Sequence, residues 1–337
     1  MLNFIIPFMV LILVVVFIHE YGHYYFARKY GVGVTDFSIG FGKEIFGWND
    51  KSGTRWKICW IPLGGYVKFF GDRNVFSQAD QDELLKKYKK EDQEKLFVTK
   101  PLYQRAWIVF GGPLANFILA IIIFIFIYMF IGKDFTTAIV DEVQKDSPAE
   151  MAGMMKNDII VEIDGTNVES ILDVSKLIGM STSEYIDFKV SRYDQEILLK
   201  VKPNLVESED NLGNKINKRM IGIMLSPYNN EIKHVKLGPG QAFIHSLNEV
   251  YFVTSSSLKY LGSMLTGAGD SSQLGGPIRI AKISGQVAEF GIIPFISMMA
   301  YISISLGLIN LFPIPLLDGG HLMFFATFND LKDLGLF

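Results

Sequence analysis

Three apolar runs, each near the length needed to cross a bilayer, constrain this chain more than any other feature. Met1–Ile18 has one polar residue, Asn3, and leads directly into His19. Trp107–Ile131 has one amide, Asn116. Ile292–Leu317 has serines and Asn310 as its polar members and ends at Pro313, Pro315 and Asp318. A hydrocarbon core about 30 Å thick takes roughly 20 apolar residues of helix. A spanning segment must also satisfy its own backbone hydrogen bonds, which a helix does. The chain therefore reads as an α-helical polytopic membrane protein with about three transmembrane helices. Its 49% hydrophobic and 20% charged composition agrees.

Charge patterning orients the spans. The first run reads as a retained span rather than a leader, because no basic residue precedes it and no small-x-small cleavage site follows. Residues 24–106 carry 15 Lys and Arg against 10 Asp and Glu, whereas residues 134–291 carry 15 against 21. Positive charge is retained inside, so 24–106 is expected in the cytoplasm and 134–291 outside. A net charge of −3 gives no field that would gather nucleic acid, and none is expected as a partner.

The 337 residues divide further. Residues 1–30 form the first span. Residues 31–72 are rich in glycine and aromatics and read as a β-rich segment associated with the membrane, tolerated at that depth only where protein or a water-filled cavity serves its backbone. Residues 73–106 read as a solvated polar loop and 107–132 as the second span. Within 138–230, AIVDEV is a strand, and Ser147-Pro148 opens a short helix that Gly153 stops. Asp164-Gly165 turns a hairpin. Ser170 and Asp173 make a capping box for a helix through Ile178. Ile186, Phe188 and Val190, then Ile197, Leu199 and Val201, alternate as a hairpin with one buried face. MIGIMLSP offers one more strand. Residues 237–290 read as an amphipathic segment on the membrane surface, with Phe243, Leu247, Tyr251, Leu258, Leu261 and Leu265 at helical spacing. Packing of that helix on the soluble domain is the competing reading. Residues 292–325 form the third membrane segment and 326–337 a short tail.

His19-Glu20-Tyr21-Gly22-His23 carries the chemistry. Residues four apart share one helix face. Two imidazoles there can share a Zn²⁺ while the glutamate between them reaches water as general base. Ionisable groups at the end of an apolar span are costly and need partners, which weighs against chance occurrence. The single cysteine, Cys59, excludes a site built on several thiolates. A catalytic zinc takes three protein ligands. The topology excludes His234 and His245, on the outside, and favours the end of the third segment. There the choice between Asp318 and His321 stays open, with Gly319-Gly320 expected to supply a turn that aims the carboxylate.

These strings together resemble the site-2 protease family of intramembrane zinc metalloproteases, peptidase family M50. The resemblance rests on HEYGH, GFGKEIFGW, IPLGGYVKFFGD, GGPLANFILA, KDSPAEMAG with NDIIVEIDG, and NLFPIPLLDGGH, and covers nearly the whole chain. It implies zinc on His19, His23 and Asp318, with Glu20 as catalytic base. It implies that Asn310, Pro313 and Pro315, with Gly64, Gly65 and Tyr66 of the β region, handle substrate. It makes 138–230 a periplasmic α+β PDZ-like domain of a bacterial inner-membrane protein. It implies a single-span transmembrane substrate, an anti-sigma factor already trimmed by a first protease, with membrane lipids as surroundings. Two other readings are carried. One is an inactive PDZ scaffold, because the family's usual further span after LDG is not recognised and LMFFATF is too short to cross. The other is the same chemistry on signal-peptide remnants.

Overall fold

The computed structural model describes residues 2–72, 85–209, 215–266 and 276–333. Among them, three helices are long and apolar enough to cross a membrane: Phe4–Lys29, Leu102–Ile131 and Ile292–Asn310. The chain separates into two compact units, residues 1–123 with 279–337, and residues 124–278.

The first unit is built on helix α1 (Leu2–Lys29), which ends on Arg28 and Lys29, cations suited to a helix C-terminus. Two long strands follow, β1 (Val34–Asn49) and β2 (Arg55–Phe69). Residues 36–39 of β1 lie between 65–68 of β2 on one side and 55–58 on the other, and 46–49 pair with 55–58 in turn. The strands therefore fold over, and positive φ at Gly40 and Gly42 and again at Gly64 provides the bends. Phe37 anchors this sheet to α1. It is fully buried, stacks on Trp56 at 4.2 Å and meets Phe17 and Tyr24 edge-on. Asp50 fastens the turn by accepting from Tyr24 Oη and Trp56 Nε1. The sheet leaves Ile45, Phe46, Trp48, Trp60 and Ile61 exposed.

The segment after β2 departs from the solvated loop expected over 73–106. Residues 73–84 lie outside the described part, but Leu96 is fully buried and Phe97 stacks on Phe69 at 5.2 Å. Helix α2 (Leu102–Phe126) starts five residues before the expected 107, and Ile127–Ile131 continue it as one π-helical turn. Glycines let it lie close against α1. A Cβ on Gly22 would stand 2.1 Å from the Gly111 carbonyl oxygen, and one on Gly111 would stand 2.7 Å from that of Gly22.

The third apolar segment is not one helix. Helix α7 stops at Asn310 (Ile292–Asn310), and a new helix, α8, begins at Asp318 (Asp318–Asp333). The Gly319-Gly320 pair does not form the turn. Both lie inside α8, where a Cβ would strike the Leu311 and Ile314 carbonyl oxygens at 2.2 and 2.4 Å. The sharp turn falls on Leu316, at φ 78°.

In the second unit, β3 (Ala138–Val143), β4 (Ile159–Ile163), β5 (Ile186–Arg192), β6 (Gln195–Val201) and β7 (Ile223–Pro227) form a sheet in the order β7-β3-β4-β5-β6. The local signals are realised. Ser147 caps α3 (Pro148–Met151) and Gly153 takes φ 81°. Asp164 and Gly165 both take positive φ, as a type I′ turn requires, and Tyr193 with Asp194 turns the next hairpin likewise. The Ser170–Asp173 capping box opens α4 (Ile171–Met180), which runs two residues past Ile178. Phe188, Ile186, Val190, Val201, Ile160 and Ile163 form the core. Helix α5 (Pro239–Leu265) packs Phe252 on that core, and Glu249 meets Lys176 at 2.5 Å. Its other side leaves Phe243, Leu247, Tyr251, Leu258 and Leu265 exposed. The packed face agrees with the reading that sets this helix on the soluble domain. Residues 267–275 are outside the described part, and α6 (Pro277–Glu289) follows.

The Gly22–Gly111 contact predicts that Gly22→Ala forces the two helices apart. Overpacking of this kind costs roughly 1–3 kcal/mol, to be read as a lowered unfolding midpoint in detergent. An unchanged midpoint would mean that the helices do not meet there.

Candidate metal centre

His19 and His23 stand one turn apart on α1, within the apolar stretch Phe4–Lys29. At a rise of 1.5 Å per residue they lie about 15 and 9 Å from its C-terminal end. Asp318 comes to them as the first residue of α8. Three atoms converge: His19 Nε2 is 3.2 Å from Asp318 Oδ2, His23 Nε2 is 3.4 Å from it, and the two Nε2 atoms are 3.3 Å apart. Among the described residues these are the His, Cys, Asp and Glu side chains grouped closely enough to hold a metal ion.

The spacing fits zinc. Tetrahedral Zn²⁺ binds imidazole nitrogen and carboxylate oxygen at about 2.0–2.1 Å, which sets the ligand atoms about 3.3–3.4 Å from one another. The protonation pattern fits as well. His23 Nδ1 is 2.9 Å from the Ile108 carbonyl oxygen. A carbonyl only accepts, so Nδ1 donates, and in the neutral ring Nε2 then keeps its lone pair for a metal. Asp318 Oδ2 is buried and receives no hydrogen bond. A buried carboxylate oxygen set against two imidazole nitrogens calls for a positive charge, which a metal ion held by all three atoms would supply.

Helix α2 makes room for this group. A Cβ on Gly112 would come 2.3 Å from His23 Nε2 and 2.9 Å from His19 Cε1. Glu20, between the two histidines, has the Val67 backbone amide of β2 against its carboxyl. Gly65 closes on it so tightly that a Cβ there would be 3.0 Å from Glu20 Cγ. The β region thus lies directly on the glutamate.

The other expected site residues are distributed unevenly. Gly65 lies against Glu20; Gly64, at φ 135°, takes the Phe41 ring edge where its side chain would be, and Tyr66 stacks on Phe41 at 6.2 Å. Asn310 donates to the Leu306 carbonyl of its own helix. Pro313 and Pro315 sit in the break between α7 and α8. His321 is in α8 but is not a member of the donor group. His234 pairs with Asp134 in a short ladder, and His245 lies 3.8 Å from Glu169 Oε2, both within the second unit. Sequence reasoning assigned no role to the Ile108 carbonyl, Gly112 or Asn116. The signal available was Asn116 itself, the single amide in an apolar run, where a polar side chain must find a partner.

A family model described as Peptidase family M50 matches residues 7–332. The protein named "Putative zinc metalloprotease Atu1380" from Agrobacterium fabrum is 41% identical over 324 residues, covering 96% of this chain and 86% of its own. "Metalloprotease MmpA" from Caulobacter vibrioides is 35% identical over 334 residues, covering 93% and 83%. Among solved structures, the PDZ domain of an SdrC-like protein from Listeria monocytogenes matches 27% of this chain and 88% of its own, at 23% identity and a TM-score of 0.22.

The donor geometry predicts that Asp318→Asn sharply lowers zinc content, measured by metal analysis of the purified protein, whereas His321→Ala leaves zinc stoichiometric. Zinc that follows His321 and ignores Asp318 would make the site a three-histidine one.

Proposed function

The chain belongs to peptidase family M50 and is a zinc metalloprotease, and from that premise we propose that it hydrolyses peptide bonds within or beside the bilayer, in single-span membrane proteins. The observation that carries this reading is the donor triangle of His19, His23 and Asp318, its two imidazoles lying inside a 26-residue apolar helix. Bound there, zinc supplies a Lewis acid that polarises the scissile carbonyl and acidifies water. Glu20 accepts the proton of the attacking water and passes it to the leaving amine. His23, held by the Ile108 carbonyl, and His19 fix the donor geometry.

The β region receives the substrate in this reading. Residues 65–68 form the outer ribbon of the sheet beside Glu20, and β1 is their strand partner among the described residues. An extended segment added along that edge has its main chain fixed by strand hydrogen bonds, beside the base. A transmembrane helix must unwind to present a peptide bond, and strand pairing compensates the hydrogen bonds it loses. The exposed Phe46, Trp48 and Trp60 suit a hairpin tip in lipid. Asn310, Pro313 and Pro315 border the same site at the helix break and steer the substrate.

The charge asymmetry supports 24–106 in the cytoplasm and 134–291 outside; the bacterial relatives favour an inner-membrane protein, whose PDZ-like unit then lies in the periplasm. The substrate favoured is an anti-sigma factor-like protein trimmed beforehand, with the PDZ-like unit excluding untrimmed forms.

A tagged single-span reporter incubated with purified protein tests the activity. Glu20→Gln should lower cleavage by at least about 10²-fold while zinc stays stoichiometric. A variant that retains activity removes Glu20 from the mechanism; a native protein that binds zinc but cleaves no membrane reporter favours a binding scaffold instead. Orientation is tested separately. A reporter domain fused near Lys87 should read cytoplasm and one fused near Asn211 periplasm, and the reversed pattern overturns the assignment.

A further inference from the structure

Imidazole has two nitrogens, and in its neutral form one carries the proton and the other the lone pair. A histidine that gives Nε2 to a metal must keep its proton on Nδ1, and a buried Nδ1–H needs an acceptor. For His23 that acceptor is the Ile108 carbonyl. His19 is 7% exposed. Its Nδ1 lies 3.3 Å from the side-chain amide of Asn116. Asn116 is itself fully buried, and its oxygen, Oδ1, has no hydrogen-bond partner. One group in this pair lacks an acceptor and the other lacks a donor. A half turn of the carboxamide, whose two ends have nearly the same shape, brings Oδ1 to Nδ1 and satisfies both.

The backbone around Asn116 is arranged to hold it there. Ile108, Gly112 and Asn116 are four residues apart, so they share one face of α2. Along that face the Ile108 carbonyl serves His23, Gly112 leaves space for both rings, and Asn116 stands beside His19. From the other side, Ser303 Oγ of α7 donates to the main-chain carbonyl of Asn116 at 2.9 Å, and a Cβ on Gly307 would come 3.3 Å from Asn116 Cβ. Asn116 therefore has little freedom except rotation of its carboxamide.

We infer that Asn116 is the positioning residue for His19: its carboxamide oxygen accepts the Nδ1 proton, keeping Nε2 bare and aimed at the metal. Helix α2 then supplies the acceptor for both zinc-binding imidazoles, one from its main chain and one from a side chain. The inference rests on His19 being a metal ligand.

The test measures zinc affinity of the full-length protein in detergent by competition with a chelator, and the visible absorption of the cobalt(II)-substituted protein. Asn116→Leu removes the acceptor and should weaken zinc about 10–100-fold, with an altered cobalt spectrum. Asn116→Asp still accepts from Nδ1–H and should retain native affinity. Native affinity in Asn116→Leu, or equal weakening in the two variants, overturns the inference. If Asn116→Leu does not fold, Asn116→Asp decides: native affinity upholds the role, and weakening to the level of His19→Ala overturns it. His19→Ala distinguishes the underlying reading, because zinc unaffected by that change means that His19 is no ligand at all.

Discussion

The close approach of α1 and α2 at Gly22 and Gly111 is the contact on which the metal centre depends. Lipid tails are as apolar as the helix surfaces, so burial of apolar area drives helices together only weakly in a bilayer. Association there comes from close packing and from hydrogen bonds, and both need small residues at the crossing. With no side chain at either position, the backbones touch. That distance lets His23 reach a main-chain carbonyl of the neighbouring helix and lets both imidazoles lie over Gly112. A methyl group at any of these three glycines would occupy space now held by backbone or by a ring.

The second constraint is the price of polarity at this depth. Main-chain groups serve several polar atoms here: the Ile108 carbonyl takes the proton of His23 Nδ1, and the main-chain carbonyl of Asn116 takes that of Ser303 Oγ, while Asp318 Oδ2 and Asn116 Oδ1 are left without a hydrogen bond. Asp318 arrives through a break in the third apolar segment. The break leaves the Leu311 and Ile314 carbonyls exposed to contact, and α8 packs glycines onto them. Leu316 takes the left-handed conformation in this turn. Such a conformation in a bulky residue costs of order 1–3 kcal/mol, and the packing of α8 on residues 311–314 sustains it.

The second unit was readable because its signals are local. A capping box, a Pro at the first helical position and two turns with positive φ are set by side chains within a few residues of one another. Alternation of Ile186, Phe188 and Val190 with polar residues fixes which face is buried, and these three are fully buried. Helix α5 was ambiguous from sequence because both of its faces carry apolar residues. One packs Phe252 on the core while the other leaves Tyr251 and Leu265 exposed.

The sequence by itself determined that three long apolar stretches are helical, that His19 and His23 share one helix face and that a glutamate stands between them. Helical periodicity alone puts residues four apart on one face, and hydrocarbon forces a long apolar run to be helical. It could narrow the third donor only to the end of the last apolar segment, where Asp318 and His321 lie three residues apart. What only the tertiary structure shows is which of the two side chains lies with the imidazoles: the break after Asn310 restarts the helix at Asp318 and brings its carboxylate, at the helix start, to both Nε2 atoms. It also decided what the glycines do. Gly319 and Gly320 look like a turn in sequence, and their function is to let one backbone lie against another. The same holds for Asn116, whose partner is 97 residues away. No local pattern encodes a contact of that separation; it exists only once α1 and α2 have met.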